Sequence, residues 1–169
     1  MITGRHLTLA NAGDSRAIVV RRRGENASGA MIVEAIDLTV DHKPDSPGEM
    51  QRILQMGGVV TPPGAHGSPS RVWHNNRGLA MSRSIGDHNA ATVGVIAAPE
   101  LTEYDLIDAD YAIVIASDGV WEFLSSQTVA EIVAQVAGSS ADVQDMCDSI
   151  IDRASYSWKV RPRHCLGLG

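Results

Sequence analysis

The sequence has few cysteines, no long apolar run and no signal-peptide pattern in its first residues. Its two cysteines, Cys147 and Cys165, form neither a disulfide framework nor a Cys-x-x-Cys metal motif, which favours a reducing compartment, the cytoplasm or the nucleus. The longest apolar run, Tyr111 to Ala116, is too short to span a bilayer, so no membrane partner is expected. The first residues, Met1 to Arg5, lack the charged-then-apolar pattern of a signal peptide.

A strongly basic stretch is also missing. The formal net charge is -6, and no Lys/Arg run is longer than Arg21 to Arg23. Nucleic-acid binding would need a basic face, so no nucleic-acid partner is expected. The arginine triplet precedes Gly24-Glu25-Asn26, which indicates a solvated hairpin end.

The composition is typical of a globular protein, and the N-terminal part of the sequence predicts β-strands. The 169 residues, 44% of them hydrophobic, fit one domain. Residues 6–13 and 17–20 predict two antiparallel strands joined tightly at Gly13-Asp14-Ser15. Residues 31–38 predict a third strand, after a loop from Arg23 to Ala30.

Three segments predict helices. Ser46-Pro47-Gly48-Glu49 has the features of a capping box and predicts a helix start, and Gly57-Gly58 predict its end. A second helix is predicted by the apolar spacing of residues 129–136 and ends at Gly138. A third is predicted by the apolar spacing of residues 143–154, with Ser140 as its cap. Residues 61–70 predict an exposed loop.

Asp118 is the best candidate for a functional residue. It follows the apolar run Tyr111 to Ala116, which is typical of a strand buried on both faces, and Gly119 would permit a sharp exit from the sheet. Hard cations such as Mg²⁺ and Mn²⁺ bind carboxylates in this setting. From the pattern alone, capping of the turn by the Asp118 side chain is the commoner role.

The remaining candidates have similar alternatives. Asp14 fits ordinary hairpin chemistry, and Asp87 could cap the segment that follows it. Arg16 and Arg83 could hold phosphate or pair with one of these aspartates. No nucleophile triad is apparent, so no catalytic side chain is assigned, and His42 and His74 are interpreted as structural or surface residues.

Five segments in order resemble the metal-dependent serine/threonine protein phosphatases of the 2C type, the PPM family. The resemblance runs from residue 6 to about residue 160. The segments are Asn11-Ala-Gly-Asp-Ser-Arg16, Leu38-Thr-Val-Asp-His-Lys-Pro44 with Glu49 through Gly58, Arg71-Val-Trp73 with Gly78 through Asp87, Pro99-Glu100, and Ala116-Ser-Asp-Gly-Val-Trp-Glu122.

The resemblance implies an α+β fold in which two packed antiparallel β-sheets are flanked by helices, an α-β-β-α sandwich. It implies hydrolysis of phosphoserine and phosphothreonine in phosphoproteins by water activated by two, or three, Mg²⁺ or Mn²⁺ ions. Asp118 matches a metal-bound aspartate, and Asp14 matches an aspartate that in some relatives helps to hold a third, looser metal. Asp87, Arg83 and Gly119 match supporting positions. Residues from about 44 to 70 match a flap beside the active site.

The resemblance also implies that the domain, residues 1–160, is partial, with an irregular tail at 161–169. The family's Asp-Gly-His-Gly-Gly motif should precede Asn11, and an Asp-Asp or Asp-Asn motif should follow Trp158. We therefore expect weak or no activity from the isolated chain. The alternative is a non-catalytic phosphatase-like binding or regulatory module, and the flanking coding sequence would distinguish the two.

Overall fold

The computed structural model describes residues 1–64, 68–139 and 142–160. The predicted Ser140 cap and the predicted tail at 161–169 lie outside these residues, as do residues 65–67 of the predicted loop. The strands are β1 (Ile2–Thr3), β2 (His6–Asn11), β3 (Arg16–Glu25), β4 (Met31–Asp37), β5 (Val59–Thr61), β6 (Arg71–His74), β7 (Arg77–Leu79), β8 (Glu100–Asp105) and β9 (Asp110–Ala116). The helices are α1 (Pro47–Gln55), α2 (His88–Ala91), α3 (Asp118–Trp121), α4 (Ser126–Ala137) and α5 (Val143–Val160).

The described chain divides into two compact units. Unit 1 contains residues 1–9, 15–39, 101–139 and 142–160, and unit 2 contains residues 10–14, 40–64 and 68–100. Three sheets have the strand orders β1-β2-β8 (sheet A), β4-β3-β9 (sheet B) and β5-β6-β7 (sheet C). In the described part of the chain, no helix is both long and apolar enough to cross a membrane.

Unit 1 is layered around β3. Side chains alternate along a strand, so Ile18 and Val20 face one core while Ala17 and Val19 face the other. The first core packs sheet B against α3, α4 and α5, through Trp121, Val129, Val133, Met146 and Ile150. The second lies between sheets A and B and includes Leu7, Leu38 and Tyr104. The expected α+β class, with packed antiparallel sheets and flanking helices, is confirmed.

Unit 2 is built around a small core beneath sheet C. Ile53 of α1 is fully buried and packs with Val72, Ala90 and Val95. The end of α1 is fixed by Gly57, whose φ of +77° suits glycine, and by the Gly58 amide, which donates to the Ile53 carbonyl oxygen at 2.9 Å. The predicted stop at Gly57-Gly58 is therefore confirmed.

Several sequence predictions about local structure are wrong. The strands β2 and β3 do not pair as a hairpin, because β2 belongs to sheet A and β3 to sheet B. The strand β3 continues to Glu25, so Arg23 to Glu25 are not loop. Its arginines are held on the strand by carboxylates, such as Glu34, which accepts a hydrogen bond from Arg23 Nε at 2.7 Å.

The strand β9 is present, but it is not buried on both faces. It occupies an edge of sheet B, and Ile115 is 72% exposed. The continuous apolar run led to the wrong expectation because the same pattern occurs in an edge strand with one neighbour.

Candidate active site

Asp118 is exposed at the start of a short helix. Ser117 occupies the N-cap position, Asp118 is the first residue of α3, and the Glu122 amide donates to the Asp118 carbonyl oxygen at 2.8 Å. In the described residues, the Asp118 carboxylate has no hydrogen-bond partner of its own. The capping alternative is therefore not supported, and this carboxylate is available to a ligand.

Gly119 does not form the sharp turn that the sequence suggests. It lies within α3 and has no left-handed φ. A Cβ at this position would come no closer than 3.4 Å, to Ser117 Oγ. The direction of the chain after β9 is set by the helix start itself, so no special glycine conformation is required.

Asp14 is buried and forms an ion pair. Its Oδ2 accepts a hydrogen bond from Lys43 Nζ at 2.6 Å, and the Asp14 side chain is 8% exposed. The neighbouring Gly13 amide donates to His42 Nδ1 at 3.2 Å, while His42 Nε2 lies 3.2 Å from Glu100 Oε2. His42 is buried, as a structural residue would be. Residues 42 and 43 thus hold both residues of the Gly13-Asp14 turn.

Arg83 contacts a glutamate rather than an aspartate. Its Nη2 donates to Glu49 Oε1 at 2.8 Å, and its Nη1 donates to the Ala98 carbonyl oxygen at 3.0 Å. Glu49 also accepts hydrogen bonds from Arg52 Nη2 at 2.7 Å and from Ser82 Oγ at 2.6 Å. Arg83 therefore braces α1 against the segment at 82–83. Of the two roles that the sequence left open for it, pairing with an aspartate is not found.

The same network explains why the predicted capping box is not formed. Ser46 precedes α1 with an extended backbone, but its side chain makes no cap hydrogen bond. Glu49 is buried and turned toward two guanidinium groups, whose charge-assisted hydrogen bonds are stronger than a bond to the Ser46 amide. Burial alone would raise the pKa of Glu49, but the hydrogen bonds from Arg52, Arg83 and Ser82 hold that pKa far below its usual range.

Asp87 and Arg16 have other surroundings. Asp87 occupies the N-cap position of α2 without a side-chain cap hydrogen bond and lines a cavity of about 560 Å³ with His74 and Arg77. Arg16 donates from Nη1 to Ser126 Oγ at 2.9 Å, and its guanidinium lies 5.3 Å from the ring centroid of Trp121. Stacking on Trp121 gives Arg16 a structural role in unit 1.

The residues do not by themselves fit a metal centre. Over 1–64, 68–139 and 142–160, no three His, Cys, Asp or Glu side chains form a group that could hold a metal ion. Asp118 offers an open carboxylate, whereas the carboxylate of Asp14 is already neutralised by Lys43. Mg²⁺ retains its waters unless several oxygen ligands replace them, so Asp118 alone would not hold this ion tightly.

Sequence reasoning missed Lys43, Glu49 and Ser82 as partners of the candidate residues. The sequence pattern identified Glu49 only as a residue at a helix start. Its two arginine partners, Arg52 and Arg83, lie three and 34 positions away along the chain. The signal for Lys43 was weak, because a single lysine near a turn has many possible partners. Only the fold brings these side chains together.

Comparison with known proteins agrees with this architecture. The family model "Protein phosphatase 2C" matches residues 1–158. Rice (Oryza sativa subsp. japonica) "Probable protein phosphatase 2C 48" is 36% identical over 164 residues, covering 93% of this chain and 44% of the relative. Arabidopsis thaliana "Probable protein phosphatase 2C 1" is 40% identical over 161 residues, covering 94% of this chain and 33% of the relative.

A solved structure has the same fold. The serine-threonine phosphatase 2C from Toxoplasma gondii superposes with a TM-score of 0.72 at 23% identity, covering 91% of this chain and 51% of that chain. The chain thus spans less than half the length of the two curated relatives described above. With the family match over residues 1–158, these similarities show that the chain belongs to the protein phosphatase 2C family.

Proposed function

We propose that the chain serves the hydrolysis of phosphoserine and phosphothreonine in phosphoproteins. The observation that carries this proposal is the match to the protein phosphatase 2C family over residues 1–158. Relatives from rice and Arabidopsis bear the name of probable protein phosphatases 2C, which supports the same reaction class. A bound Mg²⁺ or Mn²⁺ ion would supply activation of the attacking water in this proposal, and Asp118 is the residue of this chain that would help to hold it.

Asp118 is the proposed metal ligand of this chain. Its carboxylate is exposed and free of side-chain partners in the described residues, which supports the assignment. Asp14 is proposed as a ligand of a further, more loosely held cation, and it would have to leave Lys43 in order to bind it. Arg83 and Asp87 have supporting roles in this proposal: Arg83 acts through Glu49, and Asp87 lines the cavity beside β6 and β7.

The isolated 169-residue chain should have low activity, because one open carboxylate does not hold Mg²⁺ tightly. The test is turnover of p-nitrophenyl phosphate and of a phosphothreonine peptide with Mn²⁺, compared with Asp118→Ala and with Asp152→Ala, an exposed aspartate on α5. Turnover near the background rate in all three proteins is expected. Clear activity that Asp118→Ala abolishes and Asp152→Ala leaves intact would refute the low-activity prediction and support the ligand assignment.

The ion pair between Asp14 and Lys43 favours a second candidate, a non-catalytic binding or regulatory module. A carboxylate matched to an ammonium group has a structural use that does not depend on metal. Such a module would bind a phosphothreonine peptide equally well with Mn²⁺ or with EDTA and leave it intact. A phosphatase that lacks ligands would instead bind the peptide only when the cation is present.

A further inference from the structure

The two aspartates proposed as cation ligands differ in what their carboxylates contact. The Asp118 carboxylate has no hydrogen-bond partner in the described residues, whereas Asp14 Oδ2 accepts a hydrogen bond from Lys43 Nζ at 2.6 Å. Where the family resemblance implies a loosely held metal cation beside Asp14, the structure places an ammonium group of the chain itself. The charge of the Asp14 carboxylate is therefore already balanced.

The burial of the two partners is unequal. The Asp14 side chain is 8% exposed, and a carboxylate removed from water needs a positive partner or several donors near it. The Lys43 side chain is 32% exposed, and its ammonium group ends a flexible four-carbon stem. Lys43 can therefore move into solvent, but Asp14 has to exchange it for another cation.

The turn that carries Asp14 is held by contacts that do not involve the Lys43 side chain. The His42 amide donates to the Gly13 carbonyl oxygen at 3.0 Å, and His42 Nδ1 accepts from the Gly13 amide at 3.2 Å. His42 is buried, and its Nε2 lies 3.2 Å from Glu100 Oε2. Departure of the Lys43 side chain would thus change the partner of the Asp14 carboxylate and leave the backbone of the turn in place.

We propose that Lys43 competes with a divalent cation for Asp14, so that the cation binds there only when the ammonium group is displaced. The inference rests on the proposed role of Asp14 as a ligand of a loosely held cation. Two positive groups on one carboxylate repel each other at this range, which makes the two partners mutually exclusive. In the part of the chain that the structure describes, no ammonium group contacts Asp118, so the two aspartates respond to different cation concentrations.

The strength of the ion pair sets the size of the effect. A pair with one partly solvated partner contributes about 1 kcal/mol, which is a factor of about five in an equilibrium constant. Lys43→Met should therefore strengthen Mg²⁺ binding at Asp14 about fivefold. The matched control is Lys159→Met, because Lys159 is the other lysine of the chain, is exposed on α5, and carries the same charge.

Mg²⁺ titrations of the full chain, followed by ¹H–¹⁵N NMR, test this competition. The titration extends to about 100 mM at constant ionic strength, because a single carboxylate holds Mg²⁺ weakly. The apparent Kd, read from the Gly13 and Asp14 amides, should be about fivefold lower in Lys43→Met than in the wild type and Lys159→Met. Asp14→Asn should abolish the shift of the Gly13 amide. Equal Kd values in the wild type and Lys43→Met, or no response in Lys43→Met, would overturn the proposal.

The displacement can also be observed in the wild type, where no substitution disturbs folding. Because the chain has two lysines, ¹³C-lysine labelling gives two Cε signals, and that of Lys159 serves as the exposed reference. Mg²⁺ should move the Lys43 signal toward that of Lys159 at the concentrations that shift the Gly13 amide. A Gly13 shift with an unchanged Lys43 signal would mean that the cation binds without displacement, and the proposal would be rejected.

Neither NMR measurement uses phosphatase turnover. A chain without turnover can therefore still show the exchange of Lys43 for Mg²⁺ at Asp14, and an active chain can fail to show it. The failure of this inference is thus distinguishable from the failure of the proposed function.

Discussion

Arg83 Nη2 donates to Glu49 Oε1 at 2.8 Å, which ties the segment at 82–83 to helix α1 through a buried ion pair. Arg52 and Ser82 complete the set of donors to this carboxylate. Removing the charge of Glu49 would take from the guanidinium groups of Arg52 and Arg83 the carboxylate that both contact. The network is therefore a stability element of unit 2, and it can be probed without reference to catalysis.

Glu49→Gln should lower the free energy of unfolding of unit 2 by about 3 kcal/mol, because breaking a buried pair leaves uncompensated charge. Urea unfolding, with hydrogen exchange of the α1 amides as a probe of unit 2, would measure this loss. Glu103→Gln, at an exposed position of β8 in unit 1, is the control and should change stability by less than about 0.5 kcal/mol. A similar small change in Glu49→Gln would mean that the network contributes little.

The pH dependence of unit 2 stability follows from the same carboxylate. The pKa of Glu49 is lower in the folded state than its value of about 4.3 in an unfolded chain, so its contribution is fully present above that pH. The contribution is lost progressively as the pH falls below about 4.3 toward the folded-state pKa. Between pH 5 and pH 3, the wild type should lose more stability than Glu49→Gln, as measured by thermal unfolding. If the stability of the wild type and of Glu49→Gln fell equally with pH, the lowered pKa of Glu49 in the folded state would be contradicted.

The pair formed by Lys43 and Asp14 should couple energetically. A double-mutant cycle of Asp14→Asn and Lys43→Met should give a coupling of about 1 kcal/mol, since the aspartate is buried while the lysine is partly solvated. Thermal or urea unfolding of the four proteins provides the measurement. Additive single effects would show that the 2.6 Å contact does not stabilise the fold.

Gly58→Ala should be strongly destabilising for a steric reason. A Cβ at Gly58 would lie 2.6 Å from both Ile53 Cγ2 and the Val93 carbonyl oxygen, and the packed backbone cannot readily move away. We expect a loss of about 2 kcal/mol by analogy with overpacked cores. Gly48→Ala is the control within α1, where a Cβ meets nothing within 4 Å, and a gain of up to about 0.5 kcal/mol is expected.

The sequence was sufficient to predict the elements whose signals are local. Pro47 at the start and Gly57 at the end of α1 act through their own backbone geometry, so the helix was found without knowing its neighbours. The helices α4 and α5 were visible from their apolar spacing for the same reason, although α5 continues to Val160, beyond the predicted stretch. Ser125 caps α4 by accepting a hydrogen bond from the Thr128 amide.

What the sequence did not predict depends on partners distant in the chain. Asp14 has the pattern of a hairpin turn, but the flanking strands enter different sheets, and its partner is Lys43. Glu49 has the pattern of a cap, but its hydrogen bonds come from residues that only the folded chain brings near. For Asp118, the metal-binding role stays a prediction, and the structure adds that its carboxylate is open rather than engaged in a turn.

The pairing of β3 with β9 also has a consequence for the order of folding. Arg16 pairs with Ala116, 100 residues later (116 − 16), whereas the hairpin of β6 and β7 closes across two asparagines, Asn75 and Asn76. Contacts that are close in sequence close small loops and form quickly, while a distant strand must first lose the entropy of a long intervening chain. Pulse-labelled hydrogen exchange during refolding should therefore protect the β6–β7 amides before those of β9. Until β9 docks, the apolar face of β3 remains open to other chains, so the yield of refolded protein should fall as the protein concentration rises.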